Sequence, residues 1–126
     1  MANKPYVTKD YEWVRGTTRP ELVVRFTRNG SPIEFDDAIL SVYKDNGKTL
    51  AFRVSVEEGT MSMNVDLGQV TWVPTAAQTR SLTVTKADGL PRNKYELELR
   101  INGSEEVYIM GNITATGGLN DDEEIS

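Results

Sequence analysis

The side chains dense enough in this chain to suggest chemistry are acids. Asp36 and Asp37 stand together between two strand-like runs, Asp45-Asn46-Gly47 forms a polar trio, and Asn120 leads into the acidic run Asp121 to Glu124. Two carboxyls held several ångströms apart beside a sugar would serve a glycosidase. Several oxygens at fixed spacing, closed by a glutamate, would hold calcium. Neither pattern is completed here: Asp36-Asp37 reads as a solvated turn, and the other acids lack the spacing of a calcium loop. The sequence has no His and no Cys. That removes the commonest general base, the thiol nucleophile, disulfides, His- and Cys-ligated zinc, and any Ser-His-Asp or Cys-His triad. Carboxylate, Lys or Tyr chemistry remains, and no motif organises it. The glycines sit in turns, and Gly117-Gly118 is not followed by the Lys-Ser or Lys-Thr of a phosphate loop. No catalytic residue, cofactor or metal ligand is assigned from these residues, and carboxylate catalysis and calcium binding by the acidic tail stay open as the minor readings.

Aromatic residues offer the other kind of site. Trp13, Trp72 and Tyr95 could stack on a sugar, as in a carbohydrate-binding module. Trp72 lies on an apolar-periodic strand, where core packing is the expected role. Trp13, near the start of the chain with Glu12 and Arg15 around it, reads as an interface anchor.

These residues must be carried by one domain, since 126 residues is the size of a single core that needs no metal or disulfide staple. Net charge is −5, and without Asp121 to Glu124 it would be −1, so the acidity is local. No basic face of the kind a nucleic-acid binder shows is visible. Apolar runs are far too short for a membrane span, and the start Met-Ala-Asn-Lys-Pro-Tyr has no apolar signal region. Neither nucleic acid nor membrane is expected as a partner.

The periodicity is that of strands. In Lys94 to Ile101 every second residue is apolar: Tyr95, Leu97, Leu99 and Ile101. Leu22, Val24 and Phe26 share one face of a strand, with Val23, Arg25 and Thr27 outward. Ala38 to Tyr43 is a further strand. Leu50, Phe52, Val54 and Val56 alternate cleanly and are expected on one buried face. Met61, Met63, Val65 and Leu67 show the same parity, and Val70 shares a face with Trp72. Asn29-Gly30, Gly47, Gly59 and Asn102-Gly103 mark turns. Pro74 to Leu82 suits one short helix, with Leu82 as its anchor. For the last hairpin, a two-residue Asn102-Gly103 loop would put Leu97 opposite Tyr108. A three- or five-residue loop with a bulge is therefore expected, with Val107, Ile109 and Ile113 joining the core. Many short strands with turns at about ten-residue spacing predict an all-β, antiparallel sandwich. The segments 1–9 and 119–126 flank a sandwich domain over 10–118, as an N-terminal arm and an acidic tail.

The order of these signals resembles small structural proteins of tailed bacteriophages. It is similar to the immunoglobulin-like N-terminal domain of upper baseplate proteins and to accessory virion proteins. The resemblance is carried by Leu22 to Phe26, Arg28-Asn-Gly-Ser-Pro32, Gly68-Gln-Val-Thr-Trp72, Pro74 to Leu82, Tyr95 to Glu98 and Gly111-Asn-Ile113. It implies an immunoglobulin-like fold and a non-enzymatic virion protein, assembled in the host cytoplasm. Such a protein would bind copies of itself and other virion subunits in the tail, baseplate or neck, or decorate the capsid surface. Contacts would fall on the terminal segments, at Tyr6, Tyr11, Trp13, Asn120, Asp121 and Asp122.

Overall fold

The structure, a computed structural model, describes residues 7–19, 21–45, 47–84, 90 and 92–116. In chain order the elements are β1 (Val7–Thr8), β2 (Tyr11–Val14), β3 (Leu22–Arg25), β4 (Thr27–Arg28), β5 (Ser31–Pro32), β6 (Asp37–Lys44), β7 (Thr49–Ser55), β8 (Ser62–Asn64), β9 (Gln69–Trp72), α1 (Ala76–Arg80), β10 (Asn93–Ile101) and β11 (Ser104–Thr116). They make an all-β sandwich. The larger sheet is ordered β1-β11-β10-β6-β7, with β2 also paired to β11, and the smaller is β3-β9-β8. In the smaller sheet β9 lies between β3 and β8, and in the larger β10 lies between β6 and β11. The alternation of β10 explains its central place. Tyr95, Leu97 and Leu99 point inward and are buried, and they meet Leu22, Val70 and Trp72 of the smaller sheet in one apolar cluster.

The sheets are not purely antiparallel. β1 and β2 run parallel to β11, with Val7 opposite Ile109 and Tyr11 opposite Ile113. Parallel neighbours require a long connection, and here the whole sandwich lies between β2 and β11. β1 also falls inside the segment expected as a free arm, so the sheet reaches back to Val7.

Two bulges set the facing of the strands, one restoring the expected phase and one changing it. Asn102-Gly103 is a two-residue turn, with Ile101 opposite Ser104, rather than the longer loop expected. Both turn residues have positive φ, 50° and 83°, the geometry for which Asn-Gly is suited. The phase is restored further along, where the register shifts between Leu97 and Glu98 and leaves Tyr108 as the extra residue. Leu97 then faces Ile109, and Ile109 and Ile113 are buried as expected. Val107 lies among residues whose side chains are not described. The second bulge shifts β7 against β6 between Val42 and Tyr43, with Ala51 as the extra residue. Phe52 and Val54 keep the inner face, but Leu50 is turned to the outer face and is 44% exposed. The run from Met61 is cut short too. A turn follows Asn64, with Leu67 N–H donating to Asn64 O at 3.2 Å and Gly68 N–H to Val65 O at 3.2 Å, and it leaves Val65 and Leu67 in solvent.

The helix forms where Pro74 to Leu82 predicts it. Thr75 caps it: its side chain accepts from Gln78 N–H at 3.1 Å, and Gln78 Oε1 accepts from Thr75 N–H at 3.0 Å. The same Oε1 accepts from Trp72 Nε1 at 3.1 Å, tying the cap to the core. At the other end, Arg15 Nε and Nη2 donate to Arg80 O at 3.1 and 2.6 Å. Leu82 is buried beneath the helix. Asn93 closes the same corner. Its Nδ2 donates to Thr83 O and Ile113 O at 2.9 and 3.1 Å, and its Oδ1 accepts from Thr83 N–H at 2.8 Å. Asn93 is almost fully buried, so each of these bonds is one whose loss would cost about 1–3 kcal/mol.

Candidate functional site

The described residues expected at an interface, Tyr11 and Trp13, lie together on β2, where the N-terminal strand pair is laid along β11. The pairing is broken once, at Lys9 and Asp10, and the sequence provides for the break. A side chain at Gly111 would overlap Lys9 O, so only glycine lets the crossing chain come this close. Lys9 N–H donates to Met110 O at 3.0 Å, and Asn112 N–H donates to Asp10 Oδ1 at 2.9 Å. From the core side, the Tyr95 hydroxyl donates to Lys9 O at 2.6 Å. Burial raises the Tyr95 phenol well above its ordinary pKa, and the neighbouring Tyr11 and Asp10 add to that, so the hydroxyl stays a donor.

Tyr11 is half-buried. Its ring lies 5.3 Å from Trp13 and 5.5 Å from Tyr95, with Lys9 Nζ 5.2 Å from its centroid. Its hydroxyl is buried with no hydrogen-bond partner among the described residues. Trp13 corrects its expected role. It is 1% exposed and packs edge to face on Trp72 at 5.5 Å, joining the two sheets, so the folded protomer presents none of it to a partner. Alternation decides this: Trp13 shares the inward parity with Tyr11, while Glu12 and Val14 face out. Trp72 is as buried as expected, so neither tryptophan is available to stack on a sugar. Tyr6, Asn120, Asp121 and Asp122 lie outside the described residues.

The paired acids hold backbone rather than a substrate. Asp37 Oδ1 accepts from Ala38 N–H at 2.8 Å and Glu57 N–H at 2.9 Å, while Asp36 Oδ2 accepts from Asn102 N–H at 3.1 Å. They cap different turns. Asp45 accepts from the Thr83 hydroxyl at 3.2 Å. Among the described residues, no three His, Cys, Asp or Glu side chains converge as metal ligands would.

Surface features suited to association lie at the strand edges. Among the described residues, β3 and β8 each pair on one side only, as does β7. The bulge at Ala51 and the exposed Arg53 blunt the β7 edge. β3 has no bulge, and its exposed Arg25 is drawn back onto Gln69 of β9, with Nε donating to Oε1 at 3.0 Å. Val23 is 47% exposed on its solvent face, and Val73, its diagonal neighbour by register, is 55% exposed. The residue that sequence reasoning missed is Gly111, although a glycine inside an otherwise apolar strand is the signal of a close backbone approach. No protein-family model matches the chain, and no curated protein matches it.

Proposed function

We propose that this chain is a non-enzymatic structural subunit of a tailed-bacteriophage virion, binding other virion subunits and copies of itself in the tail, baseplate or neck. The observation that supports the reading best is the open β3 edge with Val23 and Val73 beside it. An edge of this kind accepts an added strand, whose backbone bonds give affinity while the flanking apolar residues give register. The turn and strand-end motifs behind the resemblance agree with that architecture. Arg28 to Pro32 spans the β4–β5 hairpin, Gly68 to Trp72 enters β9, and Gly111 carries the N-terminal crossing. The carbohydrate-module alternative needs an exposed tryptophan strip, and both tryptophans are in the core.

Size exclusion with light scattering on the purified chain tests the self-association part. A defined multimer of one size is expected, broken to protomers by Val23→Lys on the β3 face. A strict monomer at every concentration, or a multimer indifferent to Val23→Lys, contradicts the edge as the contact.

A further inference from the structure

Four cations gather at the end of the sandwich where the described chain leaves β11. Register fixes their placement. Lys94 lies opposite both Tyr43 and Asn112, Asn93 opposite Ile113, and Thr116 opposite Val14. The β6–β7 turn, with Lys44 and Lys48 on it, therefore sits beside the start of β10 and the end of β11. The stem of Lys94 lies against that turn, its Cδ 3.3 Å from where a Cβ on Gly47 would stand. Arg80 holds its guanidinium over Gly16, one residue past Arg15, whose N–H donates to Thr116 O at 2.8 Å. None of Lys44, Lys48, Arg80 and Lys94 has an ion-pair partner among the described residues; the ion pair described is Arg100 to Glu57, at the far end. Of the acids nearby, Asp45 is bound to Thr83, Asp10 accepts from Asn112 N–H, Glu12 stands on the edge strand β2, and Glu96 lines the same pocket as Lys94 and Gly47.

We propose that this basic end is a docking surface for an acidic peptide segment, and that its occupant in the free protomer is the run Asp121 to Glu124 of the same chain. Residues 117–120 separate that run from Thr116. At roughly 3.3 Å per residue they reach about 13–17 Å, and adjacent strands are about 4.8 Å apart, so the run can span β11, β10 and β6. Each exposed ion pair is weak alone. Tethering supplies an effective concentration on the order of millimolar, which makes four weak pairs count together. An acidic segment of a partner would compete with this run for the same cations. This holds whatever the partner is, and stands apart from the virion reading.

The chain has no cysteine, so Ser126→Cys gives a single site for a nitroxide label on the full-length chain. At low salt, the backbone amide NMR signals of Lys44, Lys48, Arg80 and Lys94 are expected to be strongly attenuated, and those of Asn29 and Asn102 at the far end spared. Raising salt to about 1 M, where the Debye length is about 3 Å, restores them. So does the variant carrying Asp121→Asn, Asp122→Asn, Glu123→Gln and Glu124→Gln. No attenuation at low salt, attenuation equal at both ends, or attenuation that survives neutralisation overturns the proposal. Mixing isotope-labelled chain with spin-labelled chain decides the occupant. Attenuation in the mixture as strong as within one chain assigns the surface to a neighbour's acidic run and overturns the intramolecular assignment.

Discussion

Trp72→Ala is expected to destabilise the fold by about 3–5 kcal/mol, the cost of removing a large aromatic from a close-packed core. Trp72 is 1% exposed and bridges the layers, packing on Trp13 at 5.5 Å and Phe52 at 5.4 Å. Its Nε1 also holds Gln78, whose side chain completes the cap of α1. The substitution therefore opens a cavity between the sheets and loosens the corner leading into β10. Chemical denaturation followed by far-ultraviolet circular dichroism measures it. Trp72→Phe, which keeps most of the volume and loses the N–H, is expected to cost much less. A cost near zero for the alanine variant would remove Trp72 from the core.

Gly111→Ala is the second large effect, and it comes through a backbone rather than a cavity. The new Cβ would overlap Lys9 O, and the obstacle is main chain, which cannot swing aside as a side chain does. The N-terminal strand must lift from β11. Lys9 then withdraws from Tyr95, leaving a buried hydroxyl without its acceptor. The steric and hydrogen-bond terms together are about 2–4 kcal/mol. Combining the change with Tyr95→Phe gives the sharper test. In the native background Tyr95→Phe removes the bond to Lys9, whereas in the Gly111→Ala background that bond is already gone and the second change costs less. Additive costs for the two would mean that the alanine is accommodated without moving Lys9. Deleting residues 1–9 removes the same acceptor together with β1, so that deletion too is expected to weaken the domain.

The period-two runs made most of the sandwich legible in the sequence. Tyr95, Leu97 and Leu99, or Leu22 and Phe26, are buried because a strand with one wet face can place them nowhere else. Asn-Gly turns and the Thr75–Gln78 capping box are local chemistry, and local chemistry is written in adjacent residues. A bulge in the last hairpin was legible, but its place along the strands and the bulge between β6 and β7 were not. A bulge is a mismatch between two strands, and the clean alternation from Leu50 to Val56 carries no mark that Ala51 is an extra residue. Parallel pairing of β2 with β11 joins positions about a hundred residues apart, and no spacing within either strand encodes it. Trp13 was misread because its charged neighbours suggested a surface. Glu12 does face solvent, but Arg15 turns inward and spends its guanidinium on Arg80 O. The basic end is likewise invisible in a linear charge count, since strand register brings Lys44 and Lys94 to one end and the packing of α1 against Gly16 brings Arg80 there.

The central claim is that this chain is part of a virion. Mass spectrometry of tailed-phage particles produced from the genome that carries this sequence, purified on a density gradient, tests it most directly. The chain is expected in the particle band, at a fixed ratio to the major tail protein, and retained after washing. Its absence from intact particles, with the protein found only in the soluble lysate, would contradict the claim.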